Sequence, residues 1–124
     1  MAWEVPGACD FLYHCHCSLC RCAHGAAFVS EAIVPAAAFT IVGGEDTLRR
    51  HQQRYFCGNC ASRLFNRTET GAPLVAVALS TLDDPPEVGP GIHVNVASKA
   101  PWVEIPSGAT TFPGFPPGVE PEPG

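Results

Sequence analysis

Charge is scarce in this 124-residue chain, at 15% of residues, and the basic share is the smaller one: seven Lys and Arg against twelve Asp and Glu, for a net charge of -5. Proteins that grip a phosphate backbone usually carry a clustered basic face, so no nucleic-acid partner is expected. The one local basic cluster, Leu48-Arg49-Arg50-His51-Gln52-Gln53-Arg54, reads as the polar face and edge of a strand. Apolar runs long enough to span a bilayer are also missing, since a spanning helix needs roughly 20 such residues. A membrane is therefore not an expected partner. The opening residues show no charged n-region followed by an apolar h-region, so no secretory signal is expected either. Uninterrupted helix-forming stretches are short, because thirteen prolines and twelve glycines are spread along the chain. No internal repeat of useful length is visible.

What is present has the two-residue period of strands. Ala27-Phe28-Val29-Ser30-Glu31-Ala32-Ile33-Val34 reads as one strand. Ala38-Phe39-Thr40-Ile41-Val42 reads as another, closed by the turn Gly43-Gly44, with a short helical turn near Pro35-Ala36-Ala37-Ala38 between them. Arg54-Tyr55-Phe56 leads into a thiol pair and Arg63-Leu64-Phe65-Asn66 leads out of it, as in a hairpin whose tip a metal holds. The continuous apolar run Pro73-Leu74-Val75-Ala76-Val77-Ala78-Leu79 reads as the most buried strand, ended by Asp83-Asp84-Pro85-Pro86. Ile92-His93-Val94-Asn95-Val96 alternates and reads as a further strand. The expectation is a mainly β domain with little helix over residues 1–105. A Pro/Gly-rich tail follows over 106–124, read as extended and partly disordered, with Phe112 and Phe115 as pins.

Seven cysteines is an odd number, and five of them are tightly grouped. The run His14-Cys15-His16-Cys17-Ser18-Leu19-Cys20-Arg21 is answered downstream by Phe56-Cys57-Gly58-Asn59-Cys60. Thiols this close in sequence rarely form unstrained disulfides with one another, because bridge geometry needs separated and correctly aimed Cβ atoms. Reduced thiols in the cytoplasm fit better than a disulfide scaffold. Such thiols do converge readily on tetrahedral zinc. Five thiols exceed the four of a closed site, which leaves two partitions. Cys15 or Cys17 with Cys20 can join Cys57 and Cys60 around one structural ion, and spacing alone favours this. Alternatively, Cys15, Cys17 and Cys20 hold one zinc with an open fourth position, and Cys57 and Cys60 belong to a second site needing two more ligands.

The surroundings of the triplet favour the second partition. Gly25-Ala26-Ala27 before Phe28 would let backbone approach a ligand. Arg21 could meet a carboxylate in bidentate geometry. His16 is either a proton shuttle or solvent-facing, His93 reads as a structural histidine, and Trp102 as a core or rim aromatic.

The triplet run, Gly25-Ala26-Ala27-Phe28, the pair Cys57 and Cys60, and Ser98-Lys99-Ala100-Pro101-Trp102 together closely resemble the glutathione-dependent formaldehyde-activating enzyme and centromere protein V family. The similarity runs from about residue 14 to about residue 106. It implies a mostly antiparallel β-tent and a carbon–sulfur lyase chemistry, in which formaldehyde and glutathione combine reversibly to S-hydroxymethylglutathione. Glutathione or a related small thiol is the expected partner. The resemblance further implies that Cys15, Cys17 and Cys20 are ligands of a catalytic zinc, with Arg21 beside them, and that Cys57 and Cys60 are half of a structural zinc site.

The chain departs from that pattern in three places. The usual early Cys-x-Cys-Gly is missing, with Cys9 the one thiol before the triplet; either the chain begins late relative to its relatives or it has lost the motif, which leaves the structural zinc open. Cys9 and Cys22 are possible substitutes, though each reads more simply as a free thiol. Ala61 stands where relatives commonly have glycine, and Cys22 where a basic residue is common. Two alternatives to an enzyme follow: a zinc-stapled binding or scaffold domain, and an inactive shortened relative.

Overall fold

Short apolar runs broken by proline and glycine give short strands, and nine are seen in the computed structural model, which describes residues 2–4, 11–67, 74–84 and 91–117. Cys9, Pro73, Pro85, Pro86 and the tail beyond 117 lie outside the described residues. In chain order the elements are β1 (Ala2–Glu4), β2 (Phe11–Cys15), α1 (Ser18–His24), β3 (Val29–Pro35), β4 (Thr40–Gly43), β5 (Leu48–His51), β6 (Arg54–Cys57), β7 (Arg63–Arg67), β8 (Leu74–Ala78) and β9 (Ile92–Val94). Seven strands form one sheet in the order β5-β6-β7-β8-β3-β2-β9, and β1 pairs with β4 in a separate ribbon. The mainly β expectation holds.

Every pairing in the larger sheet is antiparallel except one. Strand β9 runs parallel to β2, with His14 opposite His93 and Cys15 opposite Val94. A parallel pair cannot be closed by a tight hairpin. It is this pairing that brings a segment almost eighty residues away beside the first thiol.

Strand β8 sits mid-sheet, and Val75 and Val77 on it are fully buried, as the continuous apolar run implied. They join Val34, Phe39, Cys57, Leu64 and Phe65 in one core cluster, where the Tyr55 and Phe65 rings stack at 4.7 Å. A second cluster is built on Tyr13, Cys15 and Val94, with Cys17, Cys20, Phe112 and Phe115 packed against it. The basic run at 48–51 is the sheet's edge strand, as its polarity suggested. The single turn of 3-10 helix at Ala36–Ala38 also matches.

Strands β1 and β2 were not assigned from the sequence, and two further elements differ from that reading. Ser18–His24 is an α-helix, where no helix was expected. Seven residues are too few for apolar periodicity to show, and an isolated helix of that length is not stable in water. It is held instead at its ends: Cys17 caps the start by accepting from the Cys20 N–H at 3.3 Å, and Gly25 closes it in the left-handed conformation, φ 59°. A Cβ on Gly25 would meet nothing within 4 Å, so that glycine serves the helix stop. Strand β9 ends at Val94 because Asn95 turns left-handed, φ 57°, which no strand tolerates.

The Pro/Gly-rich segment is bound to the sheet as far as it is described. His93 N donates to Thr110 O at 2.9 Å, and Phe112 N donates back to His93 O at 2.9 Å. Phe112 and Phe115 pack on the second core cluster, Phe115 edge-on to Tyr13 with centroids 5.9 Å apart. These rings do pin the segment.

The β6–β7 turn carries the downstream thiols. Gly58 packs so tightly that a Cβ there would lie 2.8 Å from Thr47 O. Ala61, three residues on, holds a φ of 63°, a conformation that costs an L-residue with a Cβ roughly 1–2 kcal/mol. That is the physical reason a glycine suits this position. Replacing Ala61 by Gly is expected to stabilise the fold by about 0.5–1 kcal/mol, the relief of that strain being partly offset by the greater freedom of glycine when unfolded. Urea denaturation of the two proteins checks the sign; a destabilised Gly variant would show that the turn is not strained.

Candidate metal centre

Each thiol of the triplet is placed by a different local rule. Cys15 is the last residue of β2 and is 1% exposed, a small apolar-facing side chain at the register position opposite Val94. Cys17 is the cap of α1 and Cys20 lies one turn further, so Sγ of Cys17 sits against the backbone N–H of Cys20. Arg21 N donates to Cys17 O at 3.0 Å, fixing the same turn. The three sulfurs lie within 4.8 Å of one another. Tetrahedral zinc with Zn–S bonds of about 2.3 Å separates its sulfurs by about 3.8 Å, so the donor set fits such an ion. No other His, Cys, Asp or Glu among the described residues joins the group. The centre therefore offers three protein thiols that can hold a metal ion.

Protons are unevenly shared among the sulfurs. Hydrogen bonds from the Cys15 and Cys20 thiols, supported by the backbone N–H groups of Cys20 and Leu19, pull Cys17 far below the ordinary thiol range. Cys20, facing the other two sulfurs and half removed from water, is pushed far above it. Cys15 is raised, chiefly by Cys17 and then by burial, while Cys20 and, more weakly, the Asn95 side chain draw it down. Cys17 is the first of the three to ionise. Asn95 reaches the cluster from the end of β9, its Nδ2 donating to Cys15 Sγ at 3.3 Å.

His14 and His93 lie opposite each other, one residue before Cys15 and Val94 on paired strands, so their rings project from the other face of the sheet. His16 is fully buried and its Nε2 is 2.9 Å from His93 Nδ1. The His14 ring lies 4.7 Å from that of His93, and Phe28 packs on His16 at 4.9 Å and edge-on to His14 at 5.6 Å. Burial, then the neighbouring histidines and the cations Lys99 and Arg21, hold His16 below its usual range. Burial does the same for His93, and burial with the His93 charge for His14. All three are thus neutral near pH 7. His16 does not face solvent, and its Nδ1 has no hydrogen-bond partner among the described residues.

Arg21 donates Nε to His16 O at 3.3 Å and Nη2 to Ser98 O at 3.0 Å. The guanidinium thereby ties α1 to the loop after β9. Lys99 in that loop donates to the carbonyls of Ala100 and Val103. Trp102 is 72% exposed, so of the two positions open to it from sequence it takes the rim.

Cys57 and Cys60 stand apart, at the end of β6, four strands from β2 in the sheet order. Their thiols hydrogen-bond to each other, and Cys60 Sγ is 3.1 Å from Ser62 Oγ, which is the main cause holding that exposed thiol below its ordinary range. Neither joins the triplet's group, and Cys22 is an exposed free thiol.

Sequence reasoning did not find two features of the site. One is Asn95, whose signal was an αL-tolerant residue at the end of a short alternating run. The other is Glu31, 2% exposed on β3, which accepts from Tyr13 Oη at 3.1 Å. A carboxylate in an otherwise apolar run was its signal. Burial pushes the Glu31 carboxyl up to about 7; Cys17 adds to the rise, while the Tyr13 hydroxyl and Arg63 oppose it. Tyr13 in turn is held well above its usual range by burial and by Glu31, so it remains a donor.

A mainly β domain with three clustered thiols able to hold a metal ion is the class of protein that fold and site define. The sequence model of the glutathione-dependent formaldehyde-activating enzyme family matches residues 2–98, and the chain belongs to that family. Among curated proteins none matches the chain significantly.

The Glu31 shift sets a pH dependence. Its folded pKa lies above the unfolded value of 4.5, so the folded state retains the proton between the two. Its stabilising contribution is complete below the unfolded value and is lost as pH rises through about 7. Glu31→Gln cannot ionise and keeps an acceptor for Tyr13. Between pH 5 and 8 its stability is expected to gain on the parent's by about 2–3 kcal/mol, from about 1.4 kcal/mol per pKa unit. Urea denaturation of both proteins in excess chelator measures the gap. Parallel pH profiles would show that Glu31 ionises normally.

Proposed function

We propose that the chain is a zinc-dependent enzyme of carbon–sulfur lyase type, adding the thiol of glutathione, or of a related small thiol, reversibly to formaldehyde. The observation that carries this reading is the group of three thiols within 4.8 Å, without a fourth protein donor among the described residues, in a chain of a family whose description names both reactants. A three-ligand centre is the pattern of catalytic rather than closed structural zinc. Zinc held by three thiolates has a site charge of -1, which suits it to keeping a substrate sulfur as thiolate more than to making hydroxide from water.

The ligands of this reading are Cys15, Cys17 and Cys20. Burial of Cys15 and the short helix α1 keep water from crowding one side of the group. Arg21 locks α1 against the β9 loop through two carbonyls, and its remaining amino group is the donor for a substrate carboxylate. The buried pair His16 Nε2 and His93 Nδ1 is a structural contact between the end of β2 and β9. In the reaction the sulfur bonds to the carbonyl carbon, the carbonyl π pair moves to oxygen, and the proton given up by the thiol returns to that oxygen. Cys57 and Cys60 serve as half of a structural zinc site. The described cysteines are free thiols, which suits a reducing compartment, the cytoplasm. No described helix is long and apolar enough to cross a membrane.

Two measurements test the reading. Glutathione added to the zinc-loaded protein should show binding and, with formaldehyde present, accelerated exchange into the hydroxymethyl adduct by NMR. No binding at millimolar glutathione would sink the substrate assignment. Cys17→Ser should lose the triplet's zinc and the acceleration, whereas Cys57→Ser should leave both. Loss of one and the same ion on either replacement would instead favour a single shared site.

A further inference from the structure

Asn95 stands where β9 stops, φ 57° and ψ 34°, one of three non-glycine residues with positive φ among those described. Asn is among the non-glycine residues that best tolerate this conformation, but the turn is also held by five backbone hydrogen bonds, four of them to the segment at 110–115. Asn95 N donates to Gly114 O at 2.9 Å, Val96 N to Phe112 O at 3.1 Å and Ala97 N to Pro113 O at 3.3 Å. Ser98 N closes on Asn95 O at 3.0 Å, and Phe112 N holds His93 O at 2.9 Å. The segment at 110–115 lies beyond the residues the family model matches, yet it sets the backbone from which the Asn95 side chain projects.

That side chain ends at the metal centre. Nδ2 of Asn95 is 3.3 Å from Sγ of Cys15, and the described structure gives the amide no other partner. Cys15 is 1% exposed, so its sulfur has almost no water to solvate it when it carries charge. A buried anion needs protein donors in place of water. The opposite flip of the amide would set a carbonyl oxygen against that sulfur, so the donor orientation is the one a thiolate selects.

We propose that Asn95 is a positioning residue for the metal centre: its amide N–H, presented by a left-handed turn that the C-terminal segment clamps, hydrogen-bonds the Cys15 thiolate and tunes the metal–sulfur bond. The proposal rests on the reading of Cys15, Cys17 and Cys20 as a metal site. Outer hydrogen bonds to metal ligands commonly change metal affinity by about 10- to 100-fold when removed. An N–H donor lowers the energy of the sulfur lone pairs, so it also moves sulfur-to-metal charge transfer to higher energy.

Cobalt(II), which reports thiolate ligation by its absorption, is the probe, titrated into the full chain and into Asn95→Gly and Asn95→Asp. Glycine adopts the left-handed turn freely and removes only the donor, and aspartate keeps the shape while replacing the donor with an anionic acceptor. The expected result is about 10- to 100-fold weaker cobalt binding in both variants, with the charge-transfer band moved to longer wavelength and Asn95→Asp the weaker binder. A purely structural Asn95 would leave the Gly variant's band and affinity unchanged, and that outcome overturns the proposal. Cobalt binding that the parent chain lacks, or that survives Cys17→Ser, would overturn the metal-site reading itself and this proposal with it. Glutathione binding is scored separately, so failure of the substrate assignment is distinguishable from both.

Discussion

Three sulfurs that share protons and negative charge do not gather of their own accord, and the rest of this structure is arranged around holding them within 4.8 Å. Each is constrained by backbone rather than by its own side chain. Cys15 is locked by the register of β2 between β3 and β9. Cys17 and Cys20 are locked to each other by the first turn of α1. Where strand gives way to helix, two rigid geometries meet at His16, whose N–H is bound to Val94 O at 3.1 Å. A slip of one residue in the β2–β9 pairing would turn Cys15 to the other face, so the register of a parallel pair is what makes the cluster possible.

Burial is the leading cause that keeps the imidazoles on and next to β2 and β9 and the Glu31 carboxyl uncharged. His14, His16 and His93 are held uncharged, burial being the largest cause in each. Glu31 is a buried carboxyl that keeps its proton to about pH 7 and shares a hydrogen bond with Tyr13. Arg21 and Lys99 bind backbone carbonyls, so they position loops.

Much of the fold was readable because β-strand periodicity is local. The run through Val75 and Val77 became the buried mid-sheet strand, the polar run at Arg49 and Arg50 became an edge, and the alanine turn at Ala36–Ala38 formed where proline preceded it. The α1 helix was not readable, because seven residues carry no amphipathic period and its stability comes from a thiol cap and a glycine stop. The end of β9 at Val94 was missed because alternation alone does not register the φ of Asn95. The aromatic pins Phe112 and Phe115 were legible as isolated rings in a proline-rich segment, whereas the backbone bonds from Thr110 to Gly114 that lock the turn at Asn95 were not.

By itself the sequence determined the donor chemistry: which thiols exist, that three lie within six residues, and that a downstream pair is spaced for a knuckle. It could not choose between one shared site and two separate ones, because both satisfy the same spacing. Tertiary structure places β6 four strands from β2, so that Cys57 and Cys60 stay outside the triplet's group. The reason is one of range. Ligand spacing along a chain is a local property that covalent geometry limits, whereas which strands are neighbours is set by burial across the whole sheet, and the same burial brought Asn95 to Cys15 across eighty residues.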